Sequence, residues 1–345
     1  MKTLETERLI LRKFKEDDFT AVHSYASSKE NTLYMLFGPN DEDETKAFIR
    51  FVISNVEETP ITHYHYAVTL KSGALIGSCD LHIDDDNAEI GWIIHRDYWK
   101  QGYGAELGNA LLKLGFDDLG LRRIIAHCDS ENLGSSKLME KIGMRREGLF
   151  YDSRPPHKGS SRAYGDELAY AILKDEWDIQ KEIAHYNSLP CVFDGFIEVP
   201  ALSDGEIYLV CTSKQIGDPE KKHVPGYGFV ICKNGEKVGN ISLRIGYGGG
   251  HYNSNLYYGG QIGYDVDEPH RGNGYAAKAC RLLPPVAKAH GMVKLLITNN
   301  VTNHASRRVC EKLGARLVRA ARLPEWNDLY KEGQRFSNIY EWLMP

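Results

Sequence analysis

The sequence predicts an α/β chain of two tandem domains, each a mixed, largely antiparallel sheet flanked by helices. Three observations lead there. The 345 residues suit two domains of roughly 100–200 residues each. Strand-like and helix-like runs alternate, with both hairpins and βαβ crossovers, so antiparallel pairing is expected around a parallel centre. A glycine-rich turn that opens a helix occurs twice, each time with the same landmarks behind it.

In the first half, residues 7–12 read as a strand. Residues 15–28 read as a helix with acids in its first turn, where the helix dipole favours them. Residues 41–56 form a second helix, with Phe48, Phe51 and Val52 on one face. Residues 64–70 and 74–83 make a hairpin over Lys71-Ser72-Gly73. Strands follow at 88–95, 121–128, 144–151 and 166–173, and helices at 102–117 and 135–142. Residues 174–193 read as less regular. The second half repeats the pattern from its middle. A strand lies near 207–212, and 227–232 and 237–245 make a hairpin over Lys233-Asn234-Gly235. Residues 246–258 read as a long loop. Strands are expected at 261–266, 295–298, 316–320 and 338–343, and helices at 274–289 and 306–313. Pro284-Pro285 is expected to bend or split the first of these. The domains are therefore placed at 1–178 and 194–345, with 179–193 as linker. The second domain lacks a helix pair after its first strand.

The repeat is measurable. Gly102 to Asn132 spans 30 positions and Gly274 to Asn303 spans 29; from each Asn to Gly143 or Gly314 is 11. Agreement at so many ordered positions indicates a duplication.

Composition narrows the function. The net charge is −5, with 42 Lys+Arg against 47 Asp+Glu, which disfavours a sequence-independent nucleic-acid binder. No run of 18 apolar residues is present, so no membrane span is expected. The seven cysteines are widely spaced without CxxC, which suits a reducing cytoplasm. The thirteen histidines show no HExxH or similar spacing, so no metal site is expected.

In both copies a strand ends, glycines turn the chain and a helix begins. Glycine lets the backbone approach a ligand closely, and first-turn N–H groups with the dipole make an anion site worth roughly 0.3–2 kcal/mol per charge. Lys100 and Arg271 add a cation beside each turn, and a pyrophosphate is the natural ligand. Tight helix–strand packing alone is the alternative for a single turn. A dinucleotide-binding fold fits worse, because neither copy shows GxGxxG.

Arg271–Ala276 resembles the R/Q-x-x-G-x-G/A signature of the GNAT acyltransferase superfamily. Gly102 and Gly104 match its glycines, with Trp99 in the first position. The first half is similar to the ribosomal-protein-alanine N-acetyltransferase branch. The similarity rests on Glu7-Arg8-Leu9-Ile10-Leu11-Arg12, Ala88-Glu89-Ile90-Gly91-Trp92, the YWxxGYG run at 98–104, and Asp166-Glu167-Leu168-Ala169-Tyr170 through Glu176-Trp177. It covers nearly all of 4–178, and less completely 227–343.

The resemblance implies acetyl transfer from acetyl-CoA to an amine. The pantetheine would lie along Trp92, Ile93 and Ile94, and along Tyr264, Asp265 and Val266, by adding to splayed strands. The pyrophosphate would rest on Lys100, Gln101, Gly102, Tyr103, Gly104 and Ala105, and on Arg271, Gly272, Asn273, Gly274, Tyr275 and Ala276. Asn132 and Asn303 match the family's asparagine near the cofactor arm, with Asn132 also a catalytic candidate. An ammonium cannot attack a thioester. Deprotonating a lysine-like amine at pH 7 costs roughly 4–5 kcal/mol. Glu89, at the position of the family's strand carboxylate, is the expected general base; its counterpart Gln261 cannot serve. Met139 and Cys310 stand where many members carry an acidic tyrosine, so a direct tyrosine acid is not expected. The expected function is therefore an N-acetyltransferase acting by direct attack on a primary amine of a small molecule or a protein N-terminus. An acetyl-CoA sensor with one or both domains degenerate is the alternative.

Overall fold

The computed structural model describes residues 1–54, 60–156, 164–218, 220, 223–246 and 254–345. Contacts divide the chain into two compact units, Met1–Gln180 and Lys181–Pro345.

Unit 1 is built on eight strands: β1 (Leu4–Glu5), β2 (Leu9–Arg12), β3 (His63–Leu70), β4 (Leu75–Asp84), β5 (Asn87–Ile94), β6 (Arg123–Asp129), β7 (Arg145–Arg154) and β8 (Gly165–Leu173). They form one sheet in the order β1-β2-β3-β4-β5-β6-β8-β7. Every pairing is antiparallel except β5–β6, which is parallel and spans only Asn87–Glu89 against Arg123–Ile125. Beyond Glu89 the two strands part, and the sheet opens into a V.

Period-two alternation assigns the faces. Ala88 and Ile90 of β5 and Ile124, Ala126 and Cys128 of β6 enter the main core beneath α4 (Tyr103–Lys113) and α5 (Leu133–Lys141). The opposite face is covered by helices between β2 and β3: α1 (Phe19–Ala26), α2 (Lys29–Thr32) and α3 (Glu42–Ser54). There Phe14, Val22, Tyr25, Ile49 and Val52 pack with Ala67 and Ile93. The helix expected over 15–28 is shorter: Glu16–Asp18 is a 3-10 turn, Ser27 ends one helix and Ser28 caps the next by accepting from the Asn31 N–H. The end of the helix expected to reach residue 56 lies outside the described residues.

The stretch 174–193, expected to be irregular, holds α6 (Lys174–Asn187). Asp175 and Glu176 occupy its first turn. The Trp177 indole donates to Asp117 at 3.1 Å in unit 1. Within unit 2, Glu182 accepts from Arg319, and Tyr186 donates to Glu341 at 3.1 Å.

Unit 2 repeats the order. β9 (Leu202–Ser203), β10 (Tyr208–Gln215), β11 (Gly226–Lys233), β12 (Glu236–Arg244) and β13 (Ile262–Val266) form one sheet. β14 (Lys294–Asn300), β15 (Arg316–Arg322) and β16 (Phe336–Leu343) form another, in the order β14-β16-β15. The break falls between β13 and β14, the joint where β5 and β6 part in unit 1. Among the described residues no helix lies between β10 and β11. Of the long loop expected at 246–258, residues 247–253 lie outside the described ones, and Ser254–Gly259 is helical (α7). The helix expected over 274–289 is two, α8 (Tyr275–Arg281) and α9 (Pro284–Ala289), because Pro284 and Pro285 cannot continue the hydrogen-bond ladder and instead start a new helix. α10 (His304–Leu313) and α11 (Asp328–Lys331) complete the unit.

A buried detail shows how literal the duplication is. A Cβ at Gly77 would sit 2.2 Å from the Ile93 carbonyl oxygen, and one at Gly239 would sit 2.3 Å from that of Asp265. The two glycines pair with Ile94 and Val266, the last residues of their strands.

Candidate active site

The glycine turns share one backbone. Lys100 and Gly102 have φ of +60° and +86°; Gly272 and Gly274 have +85° and +78°. The left-handed pair recurs two residues apart, and its first member is a lysine in one copy at a cost of roughly 1–2 kcal/mol. No side chain caps α4 or α8, whose N-cap residues are Gly102 and Gly274. Their first-turn N–H groups therefore receive no bond from a cap side chain.

Trp99 and Arg271 do the same job with different side chains. The Trp99 indole N–H donates to the Ile94 carbonyl at 2.7 Å, and the Arg271 Nε–H donates to that of Val266 at 3.1 Å. Each ties the turn to the last residue of the preceding strand. Arg8 secures the first turn further: it donates to the Gln101 carbonyl at 3.0 Å and to Glu106 at 2.7 Å, and stacks 4.4 Å over the Tyr103 ring. Arg12 makes a paired bond to Asp18 at 2.7 and 2.8 Å. Two arginines of the N-terminal motif thus brace the fold.

Asn132 and Asn303 are helix N-caps. Their Oδ1 atoms accept from the Ser135 and Ser306 N–H groups, both at 3.0 Å. Nδ2 makes no hydrogen bond in either copy among the described residues and is left to offer a cofactor. Asn132→Ala is expected to cost about 1 kcal/mol through the lost cap. Asn132→Ser, which keeps a capping oxygen, should recover that loss in a denaturant titration; a CoA affinity still weakened in Asn132→Ser would reveal a second role.

Glu89 stands at the mouth of the V. His127 of β6 meets it, Nδ1 to Oε1 at 2.9 Å. The bond lowers the Glu89 pKa and raises that of His127. On the same sheet face, His82 lies opposite Glu89, Asp80 opposite Gly91, and His63 and His65 opposite His82 and Asp80. Among the described residues Asp80 has no hydrogen-bond or ion-pair partner. Burial, and then the neighbouring Glu89 charge, push its carboxyl up to about 6. Burial, and then His63 and His82, push His65 down to about 4, and its Nε2 is buried without a partner among the described residues. A Cβ at Gly91 would come within 2.8 Å of the Asp80 Oδ1, so a side chain there would displace the Asp80 carboxylate. At the far side Arg154 donates to Glu167 at 2.9 Å and to the Tyr34 carbonyl at 3.0 Å.

His127, Asp80 and Arg154 were not singled out in the sequence. Alternation along β6 separates His127 from Ile124, Ala126 and Cys128, but only the parallel pairing brings it to Glu89.

The second copy differs. Gln261 is 1% exposed, its Nε2 donates to the Gly246 carbonyl at 2.9 Å, and its Oε1 accepts from the Leu296 N–H. It seams β13 to β14 where Glu89 opens toward solvent. Trp92, Ile93 and Ile94 and their counterparts Tyr264, Asp265 and Val266 lie along the strands before the turns; Tyr264 bonds Ser306 at 2.8 Å. Met139 and Cys310 are fully buried, and burial raises the Cys310 thiol to about 12.

Comparison with known proteins agrees with this architecture. The acetyltransferase (GNAT) domain model matches residues 8–145 and 204–316. The chain belongs to the GNAT acetyltransferase family, with the domain present twice. It is 36% identical over 178 residues to the uncharacterized N-acetyltransferase YnaD of Bacillus subtilis (strain 168), covering 51% of this chain and 99% of that protein. It is 33% identical over 181 residues to the uncharacterized N-acetyltransferase p20 of Bacillus licheniformis, with coverages of 51% and 99%. A GNAT-family acetyltransferase structure from Bacillus anthracis matches at 36% identity and a TM-score of 0.44, covering 50% of this chain and 99% of that one. The protein is an acetyl-CoA-dependent N-acetyltransferase. No helix among the described residues is long and apolar enough to cross a membrane.

Proposed function

We propose that unit 1 is the catalytic unit and transfers the acetyl group to a primary amine, of a small molecule or a protein N-terminus, by direct attack. The observation that carries this reading is the Glu89–His127 pair at the open V, which unit 2 lacks. Unit 1 fits the cofactor: the left-handed turn and the uncapped start of α4 suit a pyrophosphate, and the edge of β5 beyond Glu89 suits the pantetheine amides. Bound there, acetyl-CoA supplies the acetyl group as a thioester. Residues 100–105 would hold the phosphates, and Trp92, Ile93 and Ile94 the arm. In unit 2, residues 271–276, with Tyr264, Asp265, Val266 and Asn303, would hold a second cofactor.

The chain's own residues handle the acceptor. Asp80 and Glu89 attract an ammonium into the cleft, and His127 fixes the Glu89 carboxylate. Glu89 takes one proton from the ammonium, directly or through water, and so frees the nitrogen to attack; the C–N bond forms as the thioester C–S bond breaks, and the second amine proton goes to the departing thiolate. The buried Gln261 favours a regulatory or structural role for unit 2. The seven cysteines, widely spaced and without a CxxC, suit the cytoplasm.

Thiol release from acetyl-CoA across a panel of polyamines, amino acids, aminoglycosides and N-terminal peptides tests the activity. Turnover with a cationic amine is expected; CoA binding with silence across the panel would instead indicate a sensor. Asp80→Asn adds a second check. The folded carboxyl, near 6 rather than 3.8, loses stability as pH rises through that window. The variant should therefore be more stable at neutral pH, by at most about 3 kcal/mol. The gain should vanish below both values, while KM for the amine rises. Thermal unfolding against pH and amine saturation curves measure the two effects.

A further inference from the structure

The face that carries Asp80 and Glu89 in unit 1 has a counterpart of reversed charge in unit 2. The strand registers align the two. Glu89 lies opposite His82, which lies opposite His63. In unit 2 the Arg244 N–H donates to the Gln261 carbonyl at 2.8 Å, and Arg244 lies opposite Gly226. Asp80 lies between His65 and Gly91, whereas Ser242 lies between Gly228 and Gly263. Two acids and three histidines are thus replaced by a serine, a glutamine, glycines and one arginine.

The smaller side chains leave space. A cavity of about 530 Å³ opens on this face, lined by Ser213, Gly228, Ser242, Arg244, Leu256 and Asn327 among others. That volume falls within the roughly 300–1,000 Å³ of small-molecule sites. The Ser213 hydroxyl lies directly over Gly228, 2.3 Å from where a Cβ there would sit. Arg244 makes one side-chain hydrogen bond among the described residues, from Nη1 to the Gly260 carbonyl at 3.1 Å, and no ion pair. Asp328, also on the cavity wall, is paired with Lys331 at 3.0 Å. A guanidinium has five N–H donors in a fork that matches a carboxylate. Partial desolvation lowers the Arg244 pKa, and the residue stays open to solvent and to the cavity.

We infer that unit 2 carries a binding site for a small carboxylate-bearing molecule, its carboxylate paired with Arg244 beside Ser213 and Ser242. The cation repels an ammonium, so this site is not a second copy of the amine cleft. The inference does not depend on Glu89 being the base.

Isothermal titration of the full chain with citrate, L-glutamate and spermidine tests it. At least one carboxylate should bind in the millimolar range or tighter. Arg244→Gln should weaken that binding about tenfold or more, the loss expected for a charge-assisted bond. Ser242→Asp, which places an internal carboxylate beside Arg244, should weaken it similarly, while Glu89→Gln leaves it unchanged. Should Arg244→Gln fail to fold, Ser242→Asp decides. The inference is overturned if neither carboxylate binds, if the binding is indifferent to the Arg244 or Ser242 variant, or if it follows Glu89→Gln.

Discussion

Glu89→Gln is expected to lower kcat for amine acetylation by about 10²–10⁴, the range that a general base supplies. The amide keeps the shape and one hydrogen bond to His127 but cannot take the proton. KM for acetyl-CoA should barely move, because the turn at 100–105 is untouched. The pH profile gives a finer check. His127 holds the Glu89 pKa below its ordinary value. Removing it in His127→Ala lets that pKa rise, so the acidic limb of the kcat profile should move to higher pH. The same pair adds stability between the two pKa values. The Glu89 contribution is lost as pH falls through its lowered value, and the His127 contribution as pH rises through its raised one. Both side chains are solvent-accessible, so this effect on stability is small.

The second large effect concerns the paired glycines. Gly77→Ala and Gly239→Ala each set a methyl group against a backbone carbonyl oxygen of the next strand, at 2.2 and 2.3 Å. A backbone atom cannot rotate aside, so the strand must shift. Each change is expected to cost about 2–4 kcal/mol, measured by denaturant titration. The consequences should differ. Gly77→Ala disturbs β4 and β5, which carry Asp80 and Glu89, and should also reduce kcat. Gly239→Ala should destabilise unit 2 and leave the chemistry of unit 1 in place.

Much of this architecture was legible before any coordinates. Strands announce themselves by alternation, and the duplicated turn by glycines at positions that need positive φ, such as Gly102 and Gly274. The proline pair correctly marked the break between α8 and α9. Less legible were features that depend on pairing across the sheet. Nothing local in Arg-Ile-Ile-Ala-His-Cys-Asp says that His127 will meet Glu89; the three-residue parallel joint does that. Asp80 looks like an ordinary strand residue until its register against Gly91 and its burial are known. Trp99 read as a departure from the usual arginine, yet its indole N–H reaches the same strand-end carbonyl that Arg271 reaches. The paired asparagines carried a double meaning. Their shared spacing suggested a cofactor contact, and their geometry supplies a helix cap that alone explains an asparagine at each place. The helix α6 was missed because its amphipathic face is divided between contacts such as Trp177–Asp117 and Tyr186–Glu341.

The central claim is that two copies of one domain have parted in function, with proton transfer confined to unit 1. The direct measurement is steady-state CoA release by the full chain with its best amine, comparing Glu89→Gln with Arg271→Ala. Loss of turnover in the first variant, with kcat within about twofold of wild type in the second, is the predicted result. Turnover abolished by Arg271→Ala and preserved in Glu89→Gln would contradict it, and would place the chemistry in the other copy.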